Sequence, residues 1–221
     1  MARRPKSGIE EGTPEGEATR TMLLDTAEQL FALNGIASTS IRSINDEAGY
    51  GAASVHYHFG TKAHLLRSVL LRRGAAVLAT AESRIDALLA QREAPTVRDI
   101  VSAAFDPHAQ LVENEPVGGG YWEQILSRLG VAGDPVLTEL FGPITLKFNQ
   151  ALQRCYPQAS SAAVVRQWYI ASISIINLLG IYARLTRDDS EVNRQIREGF
   201  AASSLEFVVS GLEGMLQAQQ R

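Results

Sequence analysis

A chain of 221 residues, 45% of them hydrophobic, can bury a core of its own, which excludes disorder throughout. Its formal net charge of -3 argues against indiscriminate binding to nucleic acid, because that mode rests on many phosphate-neutralising Lys and Arg. The longest apolar stretches, such as residues 170 to 179, are interrupted by Ser and Asn short of the roughly 18 residues of a membrane span, and no secretory leader pattern is present.

Residues 1–16 carry Pro5, Pro14, Gly8, Gly12 and Gly16 with three acids and almost nothing apolar, so a flexible N-terminal arm is expected, with Arg3, Arg4 and Lys6 at its tip. From about Glu17, Leu23, Ala27, Leu30 and Phe31 follow helical spacing, and Gly35 supplies a C-terminal cap. The hydroxyls of Ser38, Thr39 and Ser40 can cap a second helix over Ile41 to Ala48. Gly49-Tyr50-Gly51 reads as a three-residue turn, and residues 52 to 58 as a third short helix. Gly60-Thr61 then stops one helix and caps the next, which continues to about Ala90 and is long enough to link two domains.

Beyond it, Pro95, Pro107, Pro116 to Gly120, Gly133 to Pro135, Pro143 and Pro157 read as breakers between further helices, and nothing alternates like a strand for long. Residues 160 to 185 and 190 to 218 are the longest uninterrupted helical patterns. The fold class expected is all-α: a helix-turn-helix domain over 17–62 and a helical domain over 63–221. Cys155, with no second Cys to pair with, reads as a small half-buried apolar residue, and cysteine usage fits the cytoplasm.

In a helix-turn-helix the second helix lies in the major groove while the first packs across it through a tight turn. Ile41, Ile44 and Ala48 supply the inward side of the first helix, Val55 and Phe59 that of the second, and Gly49 the reversal. Gly51, Ala52, Ser54 and His56 then point to base edges: Ala can meet a thymine methyl, and Ser or His can hydrogen-bond. Tyr57, His58 and Lys62 fall where side chains meet the phosphate backbone, and Thr39, Ser40 and Arg42 complete the expected DNA-binding set. The basic residues Arg42, Lys62, Arg67, Arg72 and Arg73 face only Asp46 and Glu47 in the same stretch, so the positive charge is local.

The run from Thr39 to Gly49, followed by Val55-His-Tyr-His-Phe-Gly-Thr-Lys62 and Leu65-Leu66, resembles the TetR family of transcriptional regulators over about Ala18 to Leu71. Gly51, and Ala63-His64 after the Lys, depart from the family's usual residues. The resemblance implies a three-helix DNA-binding domain, a homodimer through the last two long helices (168–185 and 192–215), a small-molecule effector bound in the divergent C-terminal domain, and repression as the default action on a palindromic double-stranded DNA operator.

Effector contacts are expected among the aromatic and apolar residues of the middle third: Phe105, Trp122, Ile125, Phe141 and Phe148, with His108, Tyr121 and Asn177 as polar partners. Trp122 and Phe148 lead that set, and its composition points to an apolar or aromatic effector. No metal or cofactor is expected: His56 and His58, two apart on a helix, do not face the same way. No nucleophile, phosphate loop or paired carboxylates suggest an enzyme. The competing reading is an adaptor or small-molecule-binding protein of the same fold that does not bind DNA.

Overall fold

The computed structural model describes residues 13–187 and 190–218, and every regular element among them is a helix. The N-terminal arm expected over residues 1–16 falls outside the described residues up to Glu11 and Gly12, and its last three residues are already helical. Helix α1 runs Pro14–Asn34 because Thr13 caps it: the Thr13 hydroxyl accepts from the Gly16 N–H at 3.1 Å, and Pro14 takes the first helical position, where no N–H is needed. Glu15 and Glu17 place negative charge on the positive end of the helix dipole.

Helix α2 (Ile41–Glu47) and helix α3 (Ser54–Phe59) follow, then the long helix α4 (Lys62–Ala90). The chain divides into two compact units within α4, one closing at Leu70 and the other opening at Leu71. The first unit buries Leu23, Leu24, Ala27 and Phe31 of α1 with Ile44, Val55, Leu65 and Val69.

The second unit holds the rest of α4 with α5 (Val97–Asn114), α6 (Gly118–Ala132), α7 (Pro135–Cys155), α8 (Ser161–Leu185), α9 (Glu191–Arg197) and α10 (Phe200–Gln217). Helix α8 packs against α6, α7 and α10, and α10 also packs on α5. The shared core runs through Ile100, Phe105, Phe148, Leu152, Trp168, Ile175, Val208 and Leu212.

Three expectations need correcting here. Pro107 and Pro143 do not end helices but lie inside α5 and α7, and Gly118 to Gly120 open α6 rather than separating elements. An internal proline removes one helical hydrogen bond and crowds the carbonyl four residues back, a cost that burial of a long apolar face can offset. The pattern over 190 to 218 is broken at Gly199, whose φ of 73° is left-handed, so it forms α9 and α10 instead of one helix. Helix α8 is also long and apolar enough to cross a membrane by length and composition, contrary to the sequence estimate. Its buried side, including Ala163, Val164, Trp168, Ala171, Ile175 and Leu179, packs within the second unit.

Arg154 near the end of α7 closes the C-terminus of α4. Its Nη1 donates to the Leu89 carbonyl at 2.8 Å, and its Nη2 to those of Gln91 at 2.6 Å and Glu93 at 2.7 Å. These carbonyls lie at the negative end of the helix, where a guanidinium satisfies both hydrogen bonding and charge. Arg154→Ala is expected to cost about 2 kcal/mol, the scale of a charge-assisted hydrogen bond left unmade; calorimetric melting of the full chain checks it, and an unchanged melting profile would show the cap to be idle.

Candidate DNA-binding surface and ligand cavity

The first unit presents α3 on a rigid frame. Ser40 caps α2 reciprocally: its hydroxyl accepts from the Ser43 N–H at 3.0 Å, and the Ser43 hydroxyl accepts from the Ser40 N–H at 3.0 Å. Between α2 and α3 lie six residues, Ala48 to Ala53, twice the expected turn, because Ala52 and Ala53 stay outside the helix and Ala53 becomes its N-cap. Gly49 adopts φ 74°, a conformation closed to most L-residues, and so makes the reversal possible.

Asn45, fully buried, joins the two helices across this turn. Its Nδ2 donates to the Ala52 carbonyl at 2.9 Å, while its Oδ1 accepts from the Val55 N–H at 3.1 Å. The sequence reading passed over it as one more polar residue of α2. Its position four after Ile41 and next to Ile44, on the inward side, is the signal that could have found it.

Thr39 does not belong with the DNA-facing residues. It is 3% exposed, and its hydroxyl, within reach of two α1-end carbonyls, donates to Gly35 at 2.8 Å and also lies 3.2 Å from that of Leu30. It fastens the α1–α2 connection instead. Ser40 and Arg42 are exposed, and Arg42 makes an i,i+4 pair with Asp46 at 3.5 Å in full solvent, a contact weak enough to yield to a phosphate.

Gly51, Ala52, His56 and Tyr57 are exposed, Ser54 and His58 half-buried, and Val55 and Phe59 form the buried side of α3. His56 Nδ1 lies 2.7 Å from the Gly60 carbonyl, which can only accept, so Nδ1 carries the hydrogen and a neutral ring offers Nε2 as an acceptor. The Arg20 guanidinium sits over the Phe59 ring at 5.1 Å, and Thr61 caps α4 by accepting from the His64 N–H at 3.1 Å, with Lys62 half-buried in its first turn. Of the basic residues counted along the sequence, Arg72 and Arg73 belong to the second unit, and Arg73 is engaged with Glu115.

The family model described as bacterial regulatory proteins, tetR family, matches residues 23–69, the stretch that contains this frame. Over that segment the chain is similar to the TetR family. Over 189 residues it is 27% identical to the HTH-type transcriptional repressor Rv3405c of Mycobacterium tuberculosis, covering 86% of this chain and 92% of that one. Over 51 residues, 23% of this chain and 25% of the relative, it is 41% identical to the HTH-type transcriptional repressor KstR2 of Rhodococcus jostii. A tetR-family transcription regulator from Shewanella sp. PV-4 shares the fold with a TM-score of 0.55 at 14% identity, covering 87% of this chain and 96% of that structure.

The second unit contains a cavity of about 250 Å³. Its wall comes from α4, α5, α7 and α8, with Leu78, Ala104, Leu137, Phe141, Phe148 and Trp168 as apolar surface. Phe148 and Trp168 stack at 4.5 Å between ring centroids. Both internal prolines lie beside wall residues: Pro107 precedes His108, and Pro143 stands between Gly142 and Ile144.

Three of the eight expected effector contacts, His108, Phe141 and Phe148, lie on this wall; five do not. Trp122 is 1% exposed and closes against Gly74, where an added Cβ would come within 2.9 Å of its ring. Phe105 and Ile125 are buried core. Tyr121 carries the Arg187 guanidinium 4.5 Å above its ring, and Asn177 bridges helices by accepting from the Ser127 hydroxyl at 2.8 Å. Aromatic clustering in sequence does not distinguish core from cavity wall, since both need the same apolar chemistry. Cys155 is half-buried, donates to the Pro95 carbonyl at 2.8 Å, and burial pushes its thiol up, away from the reactive thiolate.

Proposed function

We propose that the protein is a homodimeric, cytoplasmic, ligand-responsive transcriptional repressor that reads a palindromic operator with α3 and is released by a small apolar or aromatic effector held in the second unit. The observation that carries this reading is the solvent-open α3, clamped to α2 by Asn45 within the matched family segment. Ser54 and His56 are assigned to base edges, Gly51 and Ala52 to close backbone approach, and Ser40, Arg42, Tyr57, His58 and Lys62 to the phosphates. The name of the Mycobacterium tuberculosis relative supports repression.

A single recognition helix of six residues touches few base pairs, so two are needed, about 34 Å apart on the duplex. Glycines within α10 support a dimer over 168–185 and 192–215. A Cβ at Gly211 or Gly214 would meet nothing within 4 Å, so packing inside one protomer does not require them, although each weakens a helix by roughly 1 kcal/mol relative to Ala. Beside them Phe207 is 69% exposed, and Ile170 and Ile181 are exposed on α8. A second copy packed on this flat apolar face accounts for both features. Phe207→Glu is expected to yield monomers in light scattering after size exclusion and to lower operator affinity at least tenfold; a dimer of undiminished stability would move the interface elsewhere.

Effector release requires different affinities of the effector for the two states of the dimer, one matching the half-site spacing and one not. Gel shift with a palindromic fragment from the region upstream of the protein's own gene, at several salt concentrations, tests the reading. Lys62→Ala should weaken binding to all sequences and reduce the salt slope by about one, whereas Ser54→Ala should alter sequence preference. Absence of any sequence-selective, salt-sensitive complex would favour the adaptor reading.

A further inference from the structure

His108 enters the cavity wall from α5 with its ring fixed on three sides. Trp122 lies behind it at 5.5 Å between centroids, Phe141 stacks on it at 6.4 Å, and Nδ1 meets Glu123 Oε1 at 2.8 Å. Glu123 is completely buried, and its second oxygen, Oε2, has no hydrogen-bond partner. Glu123 is not itself part of the wall, so the ring carries the influence of this carboxyl group to the cavity.

Hydrogen placement in this pair follows from the cost of burying charge. A carboxylate beside a neutral imidazole would leave one uncompensated negative charge in the core, with an unpartnered oxygen, the expensive arrangement. Two arrangements avoid it without leaving an O–H on Oε2 buried and unpartnered. Either the carboxyl group keeps its hydrogen and donates to Nδ1, or the hydrogen passes to the ring and an ion pair forms. In both, Nε2 carries a hydrogen. The balance is one hydrogen shared between Oε1 and Nδ1 and one on Nε2, whichever side the shared one occupies.

Of the four hydroxyl side chains on the wall, Thr138, Thr145, Tyr169 and Ser172, two have their hydrogens committed elsewhere, and Tyr169 is an exposed residue. Thr145 gives its hydroxyl hydrogen to the Phe141 carbonyl at 2.9 Å, and Ser172 to that of Tyr169 at 2.9 Å, which leaves their oxygens only to accept. Thr138 can do either. At the packing density of protein interiors, a cavity of about 250 Å³ takes on the order of ten to fifteen non-hydrogen atoms.

We infer that the occupant of this cavity is a compact apolar or aromatic compound bearing a carbonyl-type acceptor oxygen, met by the Nε2–H of His108 under the control of Glu123. The inference rests on the cavity being the effector site, and adds to that reading the chemical class of the effector and the residue pair that selects it.

Three bicyclic probes of nearly one shape separate the possibilities: indane with no polar group, 1-indanone with an acceptor only, and indole with a donor only. Titration calorimetry on the full-length protein is expected to give 1-indanone a Kd about three- to tenfold below that of either other probe, the worth of one net hydrogen bond. In the paired variant His108→Phe/Glu123→Leu, which removes both polar partners together, that advantage should vanish while indane still binds. Should the variant fail to fold, the infrared carbonyl stretch of 1-indanone bound to the unaltered protein decides, a shift to lower wavenumber than in hydrocarbon solvent being expected. Equal binding of indane and 1-indanone, tighter binding of indole, or an unshifted carbonyl overturns the donor assignment and leaves the cavity a ligand site. Failure of all three probes to bind removes the effector reading of the cavity and this inference with it.

Discussion

Asn45→Ala is expected to abolish operator binding and to destabilise the first unit by about 2–3 kcal/mol, more than any change to an exposed groove residue. Helix α3 has six residues, too few to persist without tertiary support. Its support includes Val55 and Phe59, buried beneath it, and the Asn45 amide. Removing that amide leaves the Val55 N–H unpaired where water does not reach, at about 1–3 kcal/mol, while the Ala52 carbonyl, on an exposed residue, can be rehydrated. The chemistry is directional: the donor end of the amide faces a carbonyl and the acceptor end an N–H. Asn45→Asp therefore keeps one bond but sets a carboxylate oxygen against the Ala52 carbonyl, and it should fail as well. Gel shift and thermal melting of both variants decide the matter; affinity within twofold of the unaltered protein would mean that Val55 and Phe59 alone hold α3.

Asn45 also marks where sequence reading stopped. The all-α class, the three helices at the N-terminus and the helix continuing to Ala90 were legible because apolar spacing, capping hydroxyls and glycines are local signals. The resemblance to the TetR family rests on the same residues. What escaped was each case in which a residue's role depends on a partner distant in the chain. Thr39 looked like a hydroxyl available to DNA, but two carbonyls at the end of α1 use it. Pro107 and Pro143 looked like breaks, yet α5 and α7 continue through them. The cavity draws most of its wall from residues with no polar mark at all, such as Leu78, Ala104 and Leu137, while Trp122, the boldest aromatic, serves as core against Gly74. Glu123 carried a signal, an acid in an otherwise apolar stretch of α6, but only the fold brings His108 to it.

Gly180→Leu is expected to destabilise the second unit by about 3 kcal/mol, the upper range of overpacking. A Cβ at this position in α8 would stand 2.9 Å from the Ser127 Cβ and 3.3 Å from its Oγ on α6, closer than side chains approach. Ser127 cannot step aside cheaply, because its hydroxyl donates to Asn177 Oδ1 at 2.8 Å, back on α8. The same contact that specifies the spacing of the two helices thus blocks its relaxation. Since α8 supplies Trp168, Ile173 and Ile176 to the cavity wall, displacing it should also weaken probe binding there. Gly211 on α10 makes the informative contrast. Nothing among the described residues opposes a Cβ at that site, so Gly211→Ala in an isolated protomer gains helix stability of roughly 1 kcal/mol. In the intact protein the sign depends on a second copy: if a partner helix lies against α10, even one methyl group holds the two apart and the dimer weakens. Stability measured across a range of protein concentrations reads that sign directly, a gain at every concentration excluding a seam at Gly211 and a concentration-dependent loss placing the partner there.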